Sequence, residues 1–151
     1  MDLKNIIVLV MVLSNLTVVA QCRYPDATSA NWKPMWLTDK MPRNGARYYY
    51  DKGYGVGETY ETALASAISN IGKKRELATG QRVSFVAESA AEGNQSITVK
   101  ARIKHEYWER CHDAAQRRAL YHVHILCVVA NHPKHDVSRV RTSRKFLRPA
   151  N

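Results

Sequence analysis

Six histidines, His105, His112, His122, His124, His132 and His135, and three cysteines, Cys22, Cys111 and Cys127, are the side chains of this 151-residue chain whose types invite metal or nucleophile chemistry. A zinc site needs convergent ligands at short, regular spacings. His122 and His124 alternate with apolar residues and so share one strand face, where an exposed pair could hold Cu²⁺ or Zn²⁺ weakly. Cys111 adjoins His112, but neither spacing is that of a zinc motif. The pattern therefore predicts no resident metal and no cofactor, with His122 and His124 as candidate ligands of a weak site. Catalysis by a nucleophile needs an activated Ser or Cys beside a base and an oxyanion hole. Cys111 and His112 are neighbours that a strand would point apart, no Gly-x-Ser-x-Gly elbow is present, and Glu106 and Glu109 face opposite sides of a strand. No catalytic residue is marked, and the chain reads as a non-enzyme.

Gly53-x-Gly55-x-Gly57 lies between strand-forming residues and a helix, the setting of a phosphate loop. The dinucleotide spacing Gly-x-Gly-x-x-Gly and the P-loop Gly-Lys-Ser/Thr are both absent, and Glu58 would repel a phosphate. Close backbone packing or a β-bulge accounts for these glycines better. Cations are the stronger signal. The formal net charge is +10. Lys100, Arg102 and Lys104 form a row on one strand face, and Arg139, Arg141, Arg144 and Lys145 crowd the last twenty residues. These seven are the candidate anion contacts, although charged outer faces also serve to keep sheet edges from aggregating.

These residues need elements to hold them. Met1 to Ala20 combines Lys4, the apolar run Ile6–Leu13, and the small residues Val18 and Ala20, as a secretory signal peptide does; Ser14, Asn15 and Thr17 interrupt it short of a membrane span. Export makes a periplasmic or envelope-associated location the expectation. It lowers nucleic acid in rank and leaves an envelope protein or an anionic envelope component as partner. Cys22 is a candidate for lipidation, which alone would tether the chain to a membrane. Gln21 precedes it where that processing wants a small residue, so cleavage after Ala20 is favoured. A Cys22–Cys111 bridge is also open, with no spacing rule selecting it, and Cys127 reads as a buried small hydrophobe.

Residues 21–46 form an extended arm, with Pro25, Pro34 and Pro42 excluding helix and Trp36 and Leu37 expected to pack back on the domain. Residues 47–131 form one α+β domain. A strand at Arg47–Tyr50 ends in the glycine loop. Thr59 caps a helix over about 59–78, stopped by Gly80, with Tyr60, Ala63, Leu64, Ala67, Ile68 and Ile71 on one stripe. Val83 and Phe85 open a strand that turns at Glu92–Gln95 into a hairpin. From Ile97 to Tyr107 the odd residues share one buried face and Thr98, Lys100, Arg102, Lys104 and Glu106 a wet one. Ala119–Ala130 is the last strand, with Tyr121, Val123, Ile125, Cys127 and Val129 inward. A register with Ile103 opposite Ile125 and Glu106 opposite His122 follows. Residues 132–151 form a mobile basic tail. The fold class is α+β, one long helix on a small antiparallel sheet in two layers, in the order β-α-β-β-β along the chain.

The leader, the Lys33-Pro34-x-Trp36-Leu37 arm, Tyr48-Tyr49-Tyr50 leading into Gly53-x-Gly55-x-Gly57, the helix with Glu61-Thr62-Ala63 and the closing apolar strands together resemble the Lpp-twenty-type lipoprotein domain of Gram-negative envelopes. That domain is related in fold to the amino-terminal module of flagellar T-ring assembly proteins. The resemblance covers residues 33–130 and implies a small, non-enzymatic envelope module for interaction or assembly, with no catalytic residues to carry over. Gln21 departs from the lipobox of many members.

Overall fold

The computed structural model describes residues 22, 24–38, 40–85, 98–113 and 117–149. The expected leader and the turn at Glu92–Gln95 lie outside the described residues. After the two-residue strand β1 (Ala27–Thr28), Tyr48–Gly57 forms β2 and Tyr60–Thr79 the one long helix among the described residues, α1. Its ends follow from side-chain chemistry. The Thr59 hydroxyl accepts the Thr62 amide and the Thr62 hydroxyl accepts the Thr59 amide, each at 3.2 Å, so two otherwise orphaned donors are satisfied. Glu61 sits in the first turn, and Gly80 takes the left-handed conformation at φ 70° while its N–H closes on the Glu76 carbonyl.

Three further strands complete the sheet: β3 (Arg82–Phe85), β4 (Thr98–Asp113) and β5 (Arg118–Ala130). The order across the sheet is β1-β4-β5-β2, with β3 sharing the outer edge of β4 with β1. Pairing is antiparallel except that β3 runs parallel to the start of β4, Val83 opposite Val99. The expected hairpin is thereby corrected. Alternation fixes which face a side chain takes, but it is the same for parallel and antiparallel neighbours and carries no direction.

α1 lies over β2 and β5, burying Ala63, Ala67 and Ile71. Here the glycines are strand, not loop. A Cβ on Gly53 would stand 2.5 Å from the Ala67 carbonyl oxygen and 2.8 Å from Ile125 Cγ1, and one on Gly55 would overlap the Ala63 carbonyl and the Ala67 amide. Side-chain-free backbone is what lets the helix approach this closely.

The opposite face is also covered, by the arm and by residues 132–149. Trp36 is fully buried and its indole N–H donates to His105 Nδ1 at 3.1 Å; Leu37 packs beside it. The segment expected to be a mobile tail instead packs against this face. Val137 is buried, the Tyr50 hydroxyl meets Thr142 Oγ1 at 3.1 Å, and the Met35 amide donates to the Arg148 carbonyl at 2.8 Å. Val137, Val140 and Leu147 supply apolar surface that the charge-rich composition of the segment hides. β5 is accordingly buried on both faces from Val123 to Ala130 except at His124, which corrects the expectation of one wet side.

The β4–β5 register changes partway. Ala101 pairs with Val129 and Ile103 with Cys127; a shift at Lys104 follows, after which His105 pairs with Leu126, Tyr107 with His124 and Glu109 with His122. A bulge residue reverses the parity of everything beyond it. His105 and Tyr107 therefore lie on the arm face and Glu106 on the helix face, the reverse of the alternation expected from the sequence. Tyr60 donates its hydroxyl to Glu106 there. Cys22 and Cys111 are joined as a disulfide, Cα atoms 5.7 Å apart, which fastens the arm to the far end of β4.

Candidate functional site

Two polar clusters occupy the arm face, and the backbone explains both. The first gathers cations. Arg102 and Lys104 project from β4 on either side of Ile103 toward the crossing 138–141 segment. The Arg102 guanidinium donates to the Ser138 carbonyl at 2.7 Å and the Lys104 ammonium to the Val140 carbonyl at 2.6 Å. With Arg139 and Arg141 they surround an open groove of about 530 Å³ that has no carboxylate among its lining residues. Burial, and then the Arg102 charge, pull the Lys104 pKa below its ordinary value. Asp136, nearby in sequence, is turned onto Ser138, whose hydroxyl and amide hold its carboxyl below the usual range. Of the seven candidate anion contacts, Arg102, Lys104, Arg139 and Arg141 come together. Lys100 is exposed on β4, while Arg144 and Lys145 lie in the short 3-10 turn Arg144–Leu147, outside the groove lining.

The second cluster is a pocket of about 380 Å³ lined by Lys33 and Leu37 of the arm, Lys52 and Tyr54 of β2, Tyr107 of β4 and His124 of β5. Beside it Glu109, 4% exposed, accepts the Tyr107 hydroxyl at 3.0 Å and the Lys33 ammonium at 2.9 Å. Burial and then the Glu109 hydrogen bond push the Tyr107 pKa up to about 12. The Tyr54 hydroxyl meets His122 Nδ1 at 2.7 Å. The Tyr54 ring stacks at 4.8 Å and 34° against His124. Burial lowers the pKa of both histidines, that of His124 to about 4, against the raising influence of Glu109.

The candidate metal ligands His122 and His124 thus share a strand face, each engaged by Tyr54. Among the described residues no group of three His, Cys, Asp or Glu side chains is arranged to hold a metal ion. His122 was expected on a solvated sheet end beside Glu106; it is buried and opposite Glu109, because the register is already displaced by two residues at Ile103, which faces Cys127 and not Ile125, and the bulge at Lys104 adds one more. The sequence assigns no site role to Lys33, Tyr54, Tyr107 or Glu109. Tyr54 alone had a readable signal: standing between Gly53 and Gly55 on a strand, it must face away from the helix that those glycines admit.

Glu106 and Glu109 take opposite faces, as the strand spacing predicts, so they form no acid–base pair. The Cys22 sulfur is bonded to Cys111 and carries no thiol for a thioether lipid, which corrects the lipidation candidate. Cys127 is fully buried on the helix face, as expected, and burial pushes its thiol up to about 12. No helix among the described residues is long and apolar enough to cross a membrane. No family model, curated protein or solved structure matches the chain.

Proposed function

We propose that the protein is an exported, non-catalytic module of the cell envelope that takes an anionic envelope component in the groove between Arg102, Lys104, Arg139 and Arg141. The observation that carries this reading is the convergence of four cations on one depression whose lining contains no carboxylate. Like charges brought this close together repel one another, and an arriving anion relieves that repulsion. Each guanidinium also presents five N–H donors, so Arg102 retains donors beyond the one spent on Ser138. The Cys22–Cys111 disulfide supports export, since such bonds persist in oxidising compartments. A long helix over a small antiparallel sheet is in keeping with kinship to the Lpp-twenty-type domain, and that kinship is part of the same proposal.

The test is calorimetric titration with a polyphosphate chain of defined length at low and high salt. Binding is expected to weaken by about two orders of magnitude for a tenfold rise in salt, as two or more ion contacts require. The double variant Arg139→Gln/Arg141→Gln is expected to weaken it by at least about tenfold at low salt. Affinity indifferent to salt and to both substitutions would refute the groove and favour a packed protein interface instead.

A further inference from the structure

The pocket walled by Tyr54, Tyr107 and His124 shares no residue with the basic groove and has a different chemistry. Its volume of about 380 Å³ lies in the range of small-molecule sites. Its walls are rings: Tyr54 against His124 at 4.8 Å, and Tyr107 beyond His124 at 6.4 Å, with Leu37 closing one side. Both tyrosine hydroxyls are spent, on His122 and on Glu109, and with Tyr107 only 2% exposed it is the Tyr54 ring that offers apolar surface rather than hydrogen bonds. His124 makes ring contacts but no side-chain hydrogen bond among the described residues, which leaves an imidazole nitrogen for an occupant.

The charge count points to the sign and size of that occupant. Lys33 is matched by Glu109 at 2.9 Å. Lys52 reaches only the Thr38 carbonyl, at 3.5 Å, and has no carboxylate partner among the described ion pairs. One positive charge is therefore left at the pocket, beside apolar ring faces and a free ring nitrogen. We infer that this pocket binds a small monocarboxylate with a flat apolar body, its carboxylate on Lys52 and its body against Tyr54 and His124. Burial of His124 agrees with this, because an imidazole held neutral can share a hydrogen bond with the ligand without adding a second charge. A dianion suits the groove of four cations better than it suits this pocket.

Benzoate is the simplest probe, and the experiment uses the full chain with its disulfide intact. Histidine ring signals are followed by NMR during titration with benzoate, with benzyl alcohol, which has a similar body and no charge, and with inorganic phosphate. Benzoate is expected to shift His124 with a dissociation constant below about 10 mM, and benzyl alcohol to bind at least about tenfold more weakly. Phosphate is expected to leave His124 in place. Lys52→Gln should weaken benzoate by about tenfold, with Lys52→Arg restoring part of the loss. Benzoate that leaves His124 unshifted at about 10 mM, or benzyl alcohol binding as well as benzoate, overturns the inference. Because the ligand comparison is made on the unsubstituted chain, a variant that fails to fold does not decide it. The outcome is also separate from that of the polyphosphate titration, which reads the other site.

Discussion

His124 sits where ring stacking, burial and two lysines meet, and its protonation is the most direct handle on the arm face. Burial is the largest cause of its lowered pKa; Lys33, His122 and Lys52 act in the same direction and Glu109 against them. The group is neutral when folded, while after unfolding it regains the ordinary value of 6.5. The unfolded chain therefore binds more protons between these values. The stability contributed by the neutral ring is complete above pH 6.5 and is lost as the pH falls toward about 4. After allowance for partial exposure, the expected loss from this residue between pH 7 and pH 5 is about 1 kcal/mol. Urea unfolding at the two pH values measures it. The pH slope should flatten in His124→Gln, and an unaltered slope would show that His124 does not set it. His122 and His124 were legible as a pair on one face. Their partners were not, because Lys33 and Glu109 are far apart in sequence and nothing in their types marks them as an ion pair.

At the scale of elements, α1 was readable almost to the residue because its ends are written in local chemistry, Thr59 at the start and Gly80 at the stop. The alternation of β4 was readable as far as Ile103. Lys104 then inserts a bulge without any distinguishing residue type, since it is one more polar residue in a polar-apolar alternation. The direction of β3 was illegible for the reason that alternation lacks a sense of direction. The contact of α1 with β2 gives a paired prediction. Gly55→Ala should destabilise the fold by about 1–3 kcal/mol, because its new methyl group would meet the Ala63 and Ala67 backbone and Ser66 Cβ at 2.8 Å. Gly72→Ala meets nothing within 4 Å and should stabilise by about 0.5–1 kcal/mol through helix propensity. Denaturant midpoints report both signs, and equal responses at the two positions would contradict the close helix–strand approach.

Across the whole molecule, composition announced a basic surface but not where its charge would converge. The groove arises only when the 138–141 segment crosses β4. Nor could the sequence choose among three cysteines, since pairing is decided by where the arm ends up. The Cys22–Cys111 bond spans a separation of 89 residues, for which loop-closure entropy gives a stabilisation on the order of 4 kcal/mol. Reduction, or Cys22→Ser, should lower the urea midpoint accordingly and expose Trp36, whose emission should shift to the red. An unchanged midpoint and spectrum would show that packing alone holds the arm. The pairing of Pro34 with Pro149, and of Met35 with Arg148, has a bearing on time as well as on shape. β2 and α1 are consecutive and can meet as soon as they emerge from the ribosome, whereas Pro34 and Met35 wait for partners more than a hundred residues downstream. Closure of the second face is thus deferred until residues 132–149 have been synthesised.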